Sequence, residues 1–264
     1  MKWIMKDTEE AKTFCFYSIK ERADSTKNLF YYFEQMAEKF GYPWGALGIT
    51  GKSKLLQFKT GIKKLEKMGF DELNSFDLLG GVDEPGTHLN WKINVGVNFD
   101  QYSRCIYFSY PADSSIDHQA FGRQLIKDVS QFSDFEYGIG FDRMYRRGPD
   151  MYCLGVISSM GRDRIPDDEE DQISCWSREY LRTDGDYTIG DLRDIYPYNM
   201  LTEPHLIRQV GSQTLKDWIL SNPKHGTLEK VTDKHWLWSI DPEQIPMIQE
   251  TLEPTGILLC YKPK

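Results

Sequence analysis

The apolar positions of the chain change period several times, and each change marks an element. At residues 13–19, "TFCFYSI" is a strand-length run of β-branched and aromatic side chains. It gives way to "STKNLFYYFEQMAEKFG" (25–41), where Leu29, Tyr32, Phe33, Met36 and Phe40 recur at helical spacing. Ser25 is placed to cap that helix and Gly41 to end it. "WKINVGVNF" (91–99) and "SRCIYFSY" (103–110) alternate around "DQY", the pattern of a hairpin with one face exposed. "DHQAFGRQLIKDVSQF" (117–132) returns to a helical period, and "FEYGIGF" and "MYCLGVI" read as strands. The last third predicts a helix at "LKDWI" and strands at "GTLEKV" and "HWLWSI". A helix through "IPMIQETL" follows, with Pro246 as its first residue, and then a final strand "GILLCYK".

Hairpins and separate helices, without a steady strand–helix–strand beat, predict an α+β fold. Its sheets are expected to be mixed or antiparallel, with amphipathic helices packed on them, in one large domain or two closely packed subdomains. The expected organisation is an N-terminal α+β region over 1–160, an acidic connecting segment over 161–189 and a C-terminal α+β region over 190–264, which can also form one continuous domain.

One stretch carries the form of a catalytic motif. Residues 46–53, "ALGITGKS", fit a loose phosphate-loop pattern, with Ala46 where its first glycine stands and Gly51, Lys52 and Ser53 at its end. Such a loop curls backbone N–H groups around phosphates, with a lysine on the outer phosphates and a hydroxyl on magnesium. It needs a buried strand feeding it, and only "YPWG" separates Gly41 from Ala46. The residues read better as the start of a helix capped by Ser53 and running to Met68. Leu55, Phe58, Ile62 and Leu65 then face the core, and Lys59, Lys63 and Lys67 face solvent. A nucleotide hydrolase using Lys52 is therefore the alternative reading. The lysine face would also suit nucleic acid, but a net charge of −8 and a pI near 5.2 oppose that partner.

Composition narrows the class. At 264 residues, 40% hydrophobic and 27% charged, the chain suits a soluble globular protein. No apolar run of about 18 residues predicts a membrane span, and the first residues lack the apolar core of a secretory signal. A cytoplasmic protein is expected. Cys15, Cys105, Cys153, Cys175 and Cys260 are widely spaced and form no CxxC pair, so buried, reduced thiols are expected. The five histidines are equally scattered, with no HxH or HExxH, and no metal or cofactor is expected.

Charge is unevenly distributed. Residues 1–132 carry 17 basic and 17 acidic side chains, whereas residues 133–203 carry 8 and 16. The whole deficit therefore lies in the middle of the chain. Its centre is Asp167, Asp168, Glu169, Glu170 and Asp171, five consecutive carboxylates that predict an exposed loop. A contiguous run lacks the convergence from separate elements that paired catalytic acids require. There is also no GxSxG, so no catalytic residue is named. The run is instead a candidate surface for a basic partner.

Towards the C-terminus, "GDLRDIYPYNMLTEPHL", "LKDWI", "GTLEKV", "HWLWSID" and "GILLCYK" form a series that resembles bacterial immunity proteins encoded beside interbacterial toxins, including type VI secretion effectors. The resemblance covers roughly residues 190–262 and rests on packing aromatics and turns. It implies a non-enzymatic cytosolic protein that binds and occludes a cognate toxin, with no direct nucleic-acid or membrane contact. A nuclease effector such as one of the VRR-Nuc type, with a basic nucleic-acid-binding groove, fits the acid-rich middle. Asp167, Asp168, Glu169, Glu170 and Asp171 are then the expected toxin-binding residues. The second alternative is an acidic regulatory protein without a toxin partner. In the same series, Trp218, Trp236 and Trp238 are expected to pack in the core, and Arg193 and Asp194 to form an ion pair at a turn.

Overall fold

A computed structural model describes residues 9–49, 55–81, 91–99, 104–157, 167–182 and 190–261. In chain order the elements begin with β1 (Glu10–Tyr17), β2 (Lys20–Glu21), α1 (Ser25–Glu34), α2 (Met36–Phe40), β3 (Trp44–Ile49), β4 (Leu56–Gln57) and α3 (Phe58–Met68). They continue with β5 (Ser75–Gly80), β6 (Ile93–Asn98), β7 (Cys105–Pro111), α4 (His118–Phe132), β8 (Ser133–Asp134), β9 (Tyr137–Met144), α5 (Pro149–Cys153) and α6 (Asp167–Arg182). The chain then forms β10 (Tyr198–Leu201), α7 (Glu203–Leu206), β11 (Gln209–Val210), β12 (Gln213–Thr214), α8 (Leu215–Ser221), β13 (Thr227–Lys230), β14 (Trp236–Ser239) and α9 (Ile245–Leu252).

Ten strands form one sheet in the order β13-β14-β10-β9-β1-β7-β6-β5-β3-β4. Every named pairing within it is antiparallel. The α+β class is thus realised in one domain. Strand β10 pairs directly with β9, so the sheet runs unbroken from the N-terminal into the C-terminal region.

Both faces of the sheet are covered, and the alternation along β1 shows how. Phe14 and Phe16 point to a layer containing Leu29 and Phe33 of α1 and Leu125 of α4. Cys15 and Tyr17 point to the opposite layer, with Trp176 of α6, Trp218 of α8 and Ile248 of α9. Helix α3 packs on β3 through Gly61, where a Cβ would stand 2.7 Å from the Leu47 side chain. The expected half-exposed hairpin of β6 and β7 is present as a hairpin, but all of β7 and β6 up to Val97 are buried. Asn94 and Gly96 alternate with Ile93, Val95 and Val97 as on a half-exposed strand, yet their face is covered as well.

Further elements differ from expectation. The helix expected over 25–41 is two, α1 and α2, with Asp24 rather than Ser25 at the cap of the first. "MYCLGVI" is not a strand. Gly148, at φ +60°, and Pro149, with its preset φ, start α5 instead, and Tyr152 and Cys153 turn inward. A short apolar run does not by itself separate strand from buried helix. Helix α3 begins at Phe58 rather than after Ser53, because Leu56 and Gln57 pair with β3 as β4. In "GILLCYK" only an isolated parallel bridge forms, Leu192 to Leu258, supported by Leu259 N–H donating to Leu192 O at 2.8 Å. Ile245, not Pro246, opens α9, directly after a 3-10 turn at Pro242–Gln244.

Candidate functional site

The acidic run lies at the start of α6 and is not a loop. Two physical causes favour the helix over the expected coil. Carboxylates in a first helical turn are stabilised by the unpaired N–H groups and the helix dipole there. Glu169, Ile173 and Trp176 also fall four and three residues apart, on one helical face. Ile173 and Trp176 are each 1% exposed. Glu169 follows them inward and meets Arg143 of β9 in a close ion pair, with Arg147 Nη1 3.7 Å from its other oxygen. Burial pulls the Arg143 guanidinium down to about 10, still charged at neutral pH. Glu170 and Asp171 are exposed, and the side chains of Asp167 and Asp168 lie outside the described residues. Of the three carboxylates whose side chains are described, Glu169 is thus turned away from the surface that Glu170 and Asp171 share. Glu169 belongs to the fold.

The phosphate-loop reading fails on geometry in the part that is described. Trp44–Ile49 is strand β3, so Ala46 to Ile49 are extended and paired with β5 instead of curled around a ligand. Leu47 is fully buried, and β4 stands between the pattern and α3, where a phosphate loop would open directly into its helix. Gly51, Lys52 and Ser53 lie outside the described residues. The strand thought absent exists, but it occupies the loop's own positions. Lys52→Ala should accordingly leave thermal stability unchanged, and ATP or GTP with magnesium should not raise the Tm. A nucleotide at 100 times its Kd would add about 2.7 kcal/mol, and such a shift, lost in Lys52→Ala, would restore the hydrolase reading.

A buried polar hub sits behind β1. Arg193, 1% exposed, donates from Nη1 to Tyr17 Oη and to the Tyr152 carbonyl, each at 3.0 Å. Its guanidinium carbon lies 4.0 Å from the Tyr152 ring centre and 4.8 Å from that of Trp176. The expected ion pair with Asp194 is not formed. Arg193 is turned to Tyr17 and Tyr152, and Asp194 instead accepts from Ile195 N–H and Gln249 Nε2, each at 2.7 Å. Burial raises the Asp194 pKa, against those two hydrogen bonds. All five cysteines are free and buried. Among the described residues no group of His, Cys, Asp or Glu is arranged to hold a metal ion, and no helix is long and apolar enough to cross a membrane.

At the other end of β9, a groove of about 500 Å³ opens between the residues before that strand, the start of α7 and the β13–β14 turn. The largely buried rings of Phe135, His235 and Trp236 form its floor, and Asp134, Glu136, Glu203 and Asp233 are its carboxylates. The turn is rigid. Thr232 Oγ1 lies 2.8 Å from His235 Nδ1 and accepts from the His235 N–H at 3.1 Å. His235 Nε2 is 3.1 Å from the Phe135 carbonyl, and the two rings stack at 3.9 Å. A carbonyl only accepts, so Nε2 carries the proton and Nδ1 takes that of Thr232. Burial lowers the His235 pKa and keeps the ring neutral. Sequence reasoning missed this site. The polar "TDKH" between two strand runs located the turn, but nothing local placed it beside Phe135 and Glu203.

His205 holds the α7 wall of the groove. Its Nδ1 accepts from Thr202 N–H at 3.3 Å and lies 3.0 Å from Thr202 Oγ1, closing a capping box. Complete burial pulls its pKa down to about 3, against about 6.5 in an unfolded chain. The unfolded chain takes up the proton first, so stability is full above about pH 6.5 and falls as pH drops towards 3. We expect about 2 kcal/mol to be lost between pH 7 and 5, measured by urea unfolding. His205→Gln should flatten that slope; an unchanged slope would show that His205 is not its source.

No family model matches the chain, and no curated protein sequence matches it. Among solved structures the chain is similar to one described as Pseudomonas aeruginosa T6SS protein PA0821. The TM-score is 0.52 at 11% sequence identity, over 97% of this chain and 76% of that one. At that identity the likeness is one of fold.

Proposed function

We propose that the chain is a cytoplasmic immunity protein that binds and occludes a type VI secretion effector, without catalysis of its own. The observation that carries this reading is the fold it shares, over 97% of its length, with a protein described as belonging to that secretion system. The immunity-protein resemblance of residues 190–262 points the same way. The partner proposed is a toxin with a basic groove, a nuclease of the VRR-Nuc type being the one the acid-rich α6 suits. Asp167, Asp168, Glu170 and Asp171 supply steering charge in this reading, with Glu169 excluded because Arg143 and Arg147 hold it.

Co-expression with a type VI effector toxin whose gene adjoins that of this chain tests the reading. This chain should restore growth and co-purify with the toxin; growth arrest that persists in its presence would sink the proposal. Neutralising Asp167, Asp168, Glu170 and Asp171 should slow association most at low salt, where screening is weakest, and leave the melting curve intact. Equal association rates at two ionic strengths would remove α6 from the interface.

A further inference from the structure

The groove beside the β13–β14 turn has a charge pattern that specifies its occupant. Four of its ionic groups neutralise one another or their neighbours. Lys20 pairs with Glu136 at 2.7 Å, and Asp134 pairs with Arg22 at 2.6 Å and with Lys234 at 3.1 Å. Glu203, from the first residue of α7, and Asp233, from the turn, are exposed and form no ion pair among the described residues. Two carboxylates from separate elements thus leave the groove with uncompensated negative charge. The floor of the groove adds no positive charge, since His235 is neutral and Phe135, stacked on it, and Trp236 are largely buried, with Lys230 Nζ already 5.3 Å from the Trp236 ring centre.

Such a pocket favours a cation with an apolar stem. The stem of a lysine or arginine covers apolar surface while its head meets carboxylates, and an aromatic ring attracts the cation itself. A neutral or acidic side chain would desolvate Glu203 and Asp233 without return. The walls are also organised in advance, by the Thr232–His235 bonds on one side and the Thr202–His205 cap on the other. Binding therefore spends little on ordering loops, a condition for a strong anchor point. The helix α6 lacks these features. Its accessible carboxylates are exposed charges of the kind that set association rate more than residence time. Phe135 and Glu136 precede the first residue of β9 and Arg143 lies near its last, so the two regions are roughly 20–25 Å apart along the strand.

We propose that this groove is the anchor point for a lysine or arginine of the partner protein, its head held between Glu203 and Asp233 and its stem laid over the floor that Phe135 and His235 form. The inference rests on the toxin-binding reading and names its central contact. The probe is the toxin domain of that adjoining type VI effector, titrated against the intact chain. Glu203→Lys with Asp233→Lys should raise Kd by about 100-fold or more, chiefly through faster dissociation. Neutralising Glu170 and Asp171 should alter the association rate alone. Both groove side chains are exposed, so melting curves should match the wild type; the milder Glu203→Gln with Asp233→Asn pair serves if the reversal disturbs folding. A single toxin Arg→Glu or Lys→Glu change that restores binding to the reversed variant would identify the occupant.

Wild-type binding with a Kd changed less than about threefold by both groove variants would overturn this inference and leave the inhibitor reading standing. A wild-type chain that fails to bind the toxin domain would sink that reading and the anchor with it.

Discussion

Trp238→Ala is expected to destabilise the fold by about 3–5 kcal/mol, a large share of the about 5–15 kcal/mol that a domain of this kind has. Trp238 is fully buried at the centre of β14, opposite Asn199 on one side and Leu228 on the other. Its indole Nε1 donates to the His225 carbonyl at 2.7 Å, and its ring meets Trp218 edge-on at 6.4 Å. Alanine removes the ring, leaves the carbonyl without its donor and opens a cavity that the sheet cannot collapse. Urea unfolding should show a lower midpoint with an unchanged slope. Trp238→Phe should fall between, since it keeps most of the apolar ring and loses the donor. A loss under about 1 kcal/mol in Trp238→Ala would mean the site repacks and the indole is no keystone of the C-terminal layer.

Glu169→Gln should cost about 3 kcal/mol, whereas Glu170→Gln should stay within about 0.5 kcal/mol. The two residues are adjacent in one acidic run and differ only in what the fold does with them. Removing the Glu169 charge leaves Arg143, with its side chain 8% exposed, without the carboxylate that balances it. Glu170 faces water. The damage should begin in α6, because Glu169, Ile173 and Trp176 fasten one face of that helix to the layer behind β1. Hydrogen exchange would then rise first at the amides near Ile173 and Trp176, below the global unfolding free energy. Equal effects of the two substitutions would show that the carboxylates are equivalent and that the ion pair with Arg143 adds nothing.

Local pattern alone was enough for the elements whose side chains face one environment along their length. The amphipathic period of 117–132 predicts α4 to within a residue, and its cap is Asp117, whose side chain accepts from Ala120 N–H at 2.9 Å. The strands β13 and β14 and the helix α8 were legible for the same reason, as was the packing role of Trp218, Trp236 and Trp238. Where one segment is buried on both faces, a polar position no longer marks the solvent side, as Asn94 of β6, 2% exposed, shows. Hence β6 reads as half exposed and α5 as a strand. The acidic run shows a further limit: like charges in sequence predict repulsion, until Arg143 of β9 and Arg147 of the 3-10 turn after it arrive to neutralise one of them.

The candidate groove was illegible for that physical reason at longer range. Phe135, Glu203 and Asp233 are separated by 68 and 30 residues, and only the pairing of β9 with β10 and of β10 with β14 brings them together. The sequence by itself determined the class of fold, the local charge deficit and the elements of uniform amphipathicity. The order of ten strands decided the rest, because which carboxylates are neutralised and which stay unpaired depends on neighbours that no local pattern specifies.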